Sequence, residues 1–199
     1  RGEAPCRLQI IVARSARTIQ LEINVKAFLP LIISLVTVFA TMSANAQKPD
    51  QAKLDQLNRF AGTWEKKFTI YKSEWTPEEQ TKSGTHTCSW VLENSHLQET
   101  GTDSDGGTYI TMYSYDAATM AYRASAFQST GNSWQMKGTW SDDSNTFTWS
   151  HEVMPGVQMI ASHQFITPDQ FKFSYLVKDK ANKILFRLEG TGKRVTKTK

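Results

Sequence analysis

Phe60-Ala61-Gly62-Thr63-Trp64 is the stretch on which the fold turns. Behind it lies a short helical pattern, with Asp50 as N-cap and Leu54, Leu57 and Ala61 at helical spacing. Ahead of it the chain reads as strand after strand. A Gly-x-Trp step at the entry to a run of antiparallel strands points to a closed barrel. Gly62 lets the backbone turn sharply, and Trp64 is large enough to plug one end. The expected fold class is all-β: one antiparallel up-and-down barrel of about ten strands, with the short helix at one mouth.

The strand-like runs cover roughly 61–71, 82–92, 95–103, 107–115, 119–128, 132–141, 145–153, 157–166, 170–178 and 183–195. Turn-formers separate them: Asp103 to Gly107, Gly131-Asn132, Asp142 to Asn145, Pro155-Gly156 and Thr167-Pro168-Asp169 among others. Such short loops favour sequential hairpins, and closure removes exposed edges. Alternation is clear in the C-terminal half. Trp134, Met136, Gly138 and Trp140 share a face, as do Phe147, Trp149, His151 and Val153. Phe171, Phe173, Tyr175 and Val177 form another such set, and Ile184, Phe186 and Leu188 a fourth. In 107–115 the pattern leaves open whether Tyr109, Thr111, Tyr113 and Tyr115 or Ile110, Met112 and Ser114 point inward.

The turns predict register. Asp142 opposite Asn145 puts Gly138 opposite Trp149 and Met136 opposite His151. A loop centred on Gly156 puts Trp149 opposite His163 and His151 opposite Ala161. A loop centred on Pro168 puts His163 opposite Phe173. This arrangement makes His151 and His163 inward, diagonal neighbours on adjacent strands.

The N-terminal segment reads as processing signal. Residues 27–40 (AFLPLIISLVTVFA) form an apolar run behind Lys26, and Ala44-Asn45-Ala46 supplies a small-x-small cleavage pattern. A membrane span needs about 20 apolar residues, and Pro30 interrupts this shorter run. The expected parts are therefore 1–24, a non-native or upstream-translated segment; 25–46, a secretory signal peptide; and 47–199, the barrel. A periplasmic or secreted protein follows, cleaved near Ala46-Gln47, with no membrane anchor left. Formal net charge is +4, but five of the 23 basic and two of the 19 acidic residues precede Gln47. The remainder carries +1 and gives no support for nucleic-acid binding. Cys6 also falls in the excluded segment, so Cys88 is left without a disulfide partner and the barrel must hold itself by packing.

Gly62-Thr63-Trp64, Trp90-Val91-Leu92, Tyr113-Ser114-Tyr115-Asp116 and the closing Gly192-Lys193-Arg194 together resemble a family of bacterial secreted lipocalin-like domains of unknown function. The likeness covers about residues 50 to 195. The resemblance implies a calycin-type barrel with an internal cavity. It also implies a structural lid in which Trp64 packs under Arg194 beside Gly62, a cation–π contact rather than a ligand site. It carries no reaction to transfer.

The function expected is binding of a small apolar or amphipathic molecule in an aromatic-lined cavity. Trp90, Met136, Trp140, Trp149, His151, His163, Phe173 and Tyr175 are the candidate ligand-binding residues. The aromatics supply apolar area and the histidines a polar handle. The alternatives are a metal- or haem-dependent barrel enzyme using His151 or His163, and a solid barrel acting through its surface. His86 and Cys88 share a face with Trp90 and Leu92 and have ligand chemistry suited to a soft metal, although inert packing is the preferred reading. Asp103-Ser104-Asp105-Gly106-Gly107 lacks the later acidic positions of a calcium loop and reads as a hairpin. There is no Gly-x-Ser-x-Gly elbow, no His-Glu-x-x-His and no phosphate-cradling glycine loop. No catalytic residue, metal or cofactor is therefore assigned, and a non-enzyme is favoured. The oligomeric state is left open.

Overall fold

The computed structural model describes residues 50–195. The expectations for 1–24, for the signal peptide at 25–46 and for cleavage at Gln47 lie outside the described residues. Helix α1 (Gln51–Leu57) is capped by the Asp50 side chain, which accepts from the Lys53 N–H. A 3-10 turn at Asn58–Phe60 leads into ten strands. These are β1 (Gly62–Ile70), β2 (Gln80–Val91), β3 (His96–Asp103), β4 (Thr108–Asp116) and β5 (Ala121–Gln128), then β6 (Ser133–Ser141), β7 (Thr146–Met154), β8 (Val157–Thr167), β9 (Gln170–Asp179) and β10 (Ile184–Arg194). Each strand pairs antiparallel with the next, and β1 pairs with β10 to close the barrel. The closed up-and-down barrel is the one that alternation and turn spacing predict. Among the described residues no helix is long and apolar enough to cross a membrane.

One end of the barrel is plugged. Leu54, Leu57 and Phe60 from the helical segment are all buried. The Phe60 ring sits 5.0 to 5.4 Å from the rings of Tyr113, Phe147 and Phe165. Trp64 Nε1 donates to the Phe60 carbonyl at 2.7 Å, so the indole's polar atom is satisfied inside the plug. The Arg194 guanidinium carbon lies 4.1 Å above the Trp64 ring. Arg194 also donates to Asp169 Oδ1 at 2.9 Å, to the Pro168 carbonyl at 2.9 Å, to the Arg59 carbonyl at 3.2 Å and to the Ala61 carbonyl. Gly62 has φ +111°, and a Cβ there would stand 2.6 Å from Arg194 Nη1. Both the turn and the clamp therefore require glycine.

At the other end Val177 and Leu185 are buried, but several inward side chains are only half-buried. Ile70, Tyr109, Trp134, His151, Met159 and Tyr175 all keep some solvent contact there. The interior is thus sealed at the helix end and less tightly closed at the far end, where these side chains keep partial solvent exposure.

Two local readings are corrected, and one left open is decided. The β7–β8 connection is a tight two-residue turn over Pro155-Gly156, with Gly156 at φ +79° and a bulge between Glu152 and Met154. It pairs Trp149 with Ala161, Phe147 with His163 and His151 with Met159. His151 and His163 are therefore not diagonal neighbours; the pairing slips by two residues, which preserves the inner face but moves His151 toward the wet end. In β10 a bulge between Ile184 and Phe186 turns Ile184 outward, 42% exposed, and buries Leu185 instead. In β4 the tyrosines take the inner face: Tyr113 is 3% exposed and Ile110 43%. Gly138 does face Trp149, and His163 faces Phe173. The Trp149 ring folds over Gly138 so closely that a Cβ there would overlap it.

Candidate functional site

The chemistry gathers on the inner wall of β1 to β4. Alternation along β2 turns His86 and Cys88 inward while Thr85 and Thr87 face out. Glu99 of β3 lies opposite Cys88. Lys66 of β1 and Tyr109 and Tyr113 of β4 complete the group. Glu99, His86 and Cys88 are 7%, 4% and 2% exposed.

Register explains why the tyrosines reach the carboxylate. Tyr109 sits opposite Gly101. With no side chain there, the phenol ring lies across Gly101 toward its strand neighbour Glu99. Tyr109 Oη donates to Glu99 Oε1 at 2.8 Å, and Tyr113 Oη donates to Oε2 at 2.7 Å. The Lys66 ammonium donates in turn to Tyr109 Oη and stands 3.9 Å from Glu99 Oε1. A relay results: ammonium to phenol, phenol to carboxylate.

Burial alone would raise the Glu99 pKa. His86, Lys66 and the two tyrosine hydrogen bonds outweigh it and push the carboxyl down to about 2. The group is a buried anion at neutral pH, held by donors on both oxygens. His86 moves the other way. Burial lowers it to about 4 against the pull of Glu99, so its imidazole is neutral at pH 7. Its Nδ1 is 3.8 Å from Glu99 Oε1 and has no hydrogen-bond partner. Burial and the Glu99 charge hold Cys88 well above the usual thiol range, so it is a protonated thiol and a poor nucleophile.

The facing wall, β6 to β9, is aromatic. His163 is 8% exposed and packs among Phe60, Phe171, Phe173 and Tyr175, at ring separations of 5.3 to 6.0 Å. Burial lowers its pKa to about 4. Three ring nitrogens of this wall are unsatisfied. His163 Nδ1, Trp149 Nε1 and Trp134 Nε1 are all buried without a partner. Buried polar atoms are nearly always paired, so three on one wall ask for an explanation.

The sequence-derived candidates divide between the two ends. Met136, Trp149, His163 and Phe173 line the buried middle of the barrel. Tyr175 and His151 stand toward the wet end. Trp90 and Trp140 belong to the plug. Trp90 Nε1 donates to Asn58 Oδ1 at 2.9 Å. Trp140 lies under the Arg59 guanidinium at 4.7 Å and donates to Asp142 Oδ1 at 2.7 Å. Sequence reasoning missed Glu99, Lys66, Tyr109 and Tyr113 as a group. One signal was present: Glu99 shares the parity of Leu97 and Gly101, and a carboxylate on the apolar parity of a strand needs a partner.

Comparison with known proteins places the chain. A family model described as "Protein of unknown function (DUF1579)" matches residues 49–183, and the chain belongs to that family. No curated protein matches it. Among solved structures it is similar to Rv2717c from M. tuberculosis, with TM-score 0.54 and 13% identity, over 72% of this chain and 97% of that one. It is also similar to the S-type phycobiliprotein lyase CPES from Guillardia theta, with TM-score 0.50 and 10% identity, over 77% and 96%. A DUF3598-family protein of unknown function from Nostoc punctiforme gives TM-score 0.51 and 11% identity over 70% of this chain. The match spans about half, 49%, of that protein's length. These neighbours share the lipocalin-like barrel.

Proposed function

We propose that this DUF1579 member is an exported bacterial binding protein that takes a small amphipathic molecule into its barrel from the end opposite the helix. One observation carries the reading: the unpaired nitrogens of Trp134, Trp149 and His163 on an aromatic inner wall. Two indole N–H groups buried without acceptors favour a guest that brings acceptors of its own, set on an otherwise apolar body. The half-buried ring of Trp134, His151, Met159 and Tyr175 is the route of entry. Trp90 and Trp140 serve the plug in this reading, and the remaining candidates serve the guest. Export rests on the apolar run at 27–40 and the Ala44-Asn45-Ala46 pattern. At 10% identity the phycobiliprotein lyase supports the barrel and not a bilin guest.

Intrinsic tryptophan fluorescence tests the binding reading. Titration with a long-chain fatty acid, a sterol, an isoprenoid alcohol and haem should give saturable quenching by at least one. Trp149→Phe keeps an aromatic ring and removes the donor. It should weaken that probe roughly 3- to 10-fold, the worth of one neutral hydrogen bond. Quenching that never saturates with any of the four would leave a solid barrel acting through its surface.

A further inference from the structure

His86, Cys88 and Glu99 each offer one ligand atom, and these atoms all lie within 4.8 Å of one another. We propose that the three form a binding site for a borderline divalent cation of the zinc or cobalt type, with a fourth position left for an anion. This inference is independent of the amphipathic guest.

The donor set is the first support. Thiolate, imidazole and carboxylate are the side chains that bind zinc, and three protein ligands leave one coordination position free. A magnesium or calcium ion would want oxygens instead. Placement is the second. His86 and Cys88 are two residues apart on one inner face, and Glu99 faces Cys88 from the adjacent strand. All three are therefore set by backbone pairing rather than by a mobile loop. The third is the buried His86 Nδ1, which lacks a hydrogen-bond partner although it points at the carboxylate from 3.8 Å. A cation seated between them would satisfy it. The fourth is the pair of tyrosines. They orient the carboxylate through one lone pair on each oxygen, and a carboxylate has further lone pairs to give a metal.

Charge dictates the fourth position. Binding displaces the Cys88 proton to solvent, so the cation's two charges meet one thiolate and one carboxylate. Lys66, 3.9 Å from Glu99, then leaves the cluster with one positive charge in excess. Without an anion the ammonium would repel the metal. With hydroxide or a small carboxylate as fourth ligand the cluster is neutral, and Lys66 becomes its hydrogen-bond donor. The site therefore selects an anion together with the metal.

Cobalt(II) titration of the full chain, stripped with a chelator, tests this. One equivalent should bind, with a thiolate-to-cobalt charge-transfer band in the near ultraviolet and the visible bands of a four-coordinate ion. Cys88→Ser should abolish the charge-transfer band and weaken binding on the order of 100-fold. Tyr113→Phe should weaken it roughly 10- to 100-fold while retaining the band, because it loosens the carboxylate and leaves the sulfur. Melting temperatures without metal confirm that both variants fold. X-ray absorption of the wild-type cobalt protein needs no variant and should show one sulfur bound to the metal. A spectrum without the thiolate band, equal binding by wild type and Cys88→Ser, or no sulfur bound to cobalt overturns the proposal.

Discussion

The two inner walls of this barrel are built on the same pleat and do opposite things. From β1 to β4 the inward positions hold Lys66, His86, Cys88, Glu99, Tyr109 and Tyr113. From β6 to β9 they hold Met136, Trp149, His163, Phe173 and other aromatics. On the first wall a buried carboxylate is matched by donors on both oxygens, and the cost of desolvating it is met locally, although the neighbouring His86 Nδ1 goes without a partner. On the second wall the large surfaces pack well and the ring nitrogens are left over. The difference teaches that polar groups inside a barrel are safe when they arrive as a set. Where they arrive singly, on the edge of an indole or imidazole, they are available for something else.

Breaking the polar wall should have the largest effect. Glu99→Gln leaves the Lys66 ammonium facing a neutral amide in a poorly hydrated interior. Urea denaturation should show a loss of ~3–5 kcal/mol, as for other buried pairs deprived of one partner. Adding Lys66→Met to that variant should restore part of the loss. Additive losses from the two changes would show that the wall does not work as a set.

Acid should come next, and it probes both walls together. His163 and His86 have folded pKa values of about 4, against about 6.5 for a free imidazole. Above pH 6.5 both states are neutral and nothing is lost. As pH falls from 6.5 toward 4, the unfolded chain takes up protons that the barrel refuses, and stability drops. For His163 alone the fall should reach about 3 kcal/mol across that window. His163→Phe should remove its share of the slope between pH 6.5 and 4 and leave the His86 share. Glu99 has the reverse displacement, so its contribution is present above its ordinary value near 4.5 and is lost as pH falls through about 2. A pH profile of His163→Phe that superposes on the wild type would mean that the imidazole takes up its proton at the same pH in the folded and unfolded chain.

The smallest effect belongs to the aromatic wall. Gly138→Ala adds one methyl where the Trp149 ring already lies. Thermal melts should show a loss of ~1–3 kcal/mol from overpacking. A neutral outcome would mean that Trp149 has room to shift, and that this wall is looser than the carboxylate wall.

The same contrast explains what could be read without coordinates. The strands of the aromatic wall were legible because period-2 alternation and turn-formers are local signals, and Phe171, Phe173 and Tyr175 carry them plainly. The His86–Cys88 pair was visible as a local motif. Glu99 was not seen with it. Its meaning depends on Gly101 lying opposite Tyr109 and on Lys66 arriving from another strand. Those relations live in cross-strand register, which no window of adjacent residues contains. The misplaced β7–β8 pairing has the same origin. Placing Gly156 second in a tight turn rather than at its centre moves the pairing by one residue, the bulge between Glu152 and Met154 moves it by one more, and the hydrophobic pattern is blind to the even total.

The seam between β1 and β10 sets an order of events. Trp64 pairs with Arg194, so the first strand to emerge must wait for the last. Nine of the ten ladders can zip as neighbouring hairpins, all but the β1–β2 hairpin with loops of two to four residues. The tenth spans nearly the whole domain, and its entropy must be lost before its contacts form. Until then β1 is a raw edge able to pair with another chain. Arg194 arrives at the end of β10 and binds the Ala61, Arg59 and Pro168 carbonyls at one stroke. The residue that latches the barrel thus ends its last strand, and a chain stopped before Arg194 keeps an open seam however well the rest has folded.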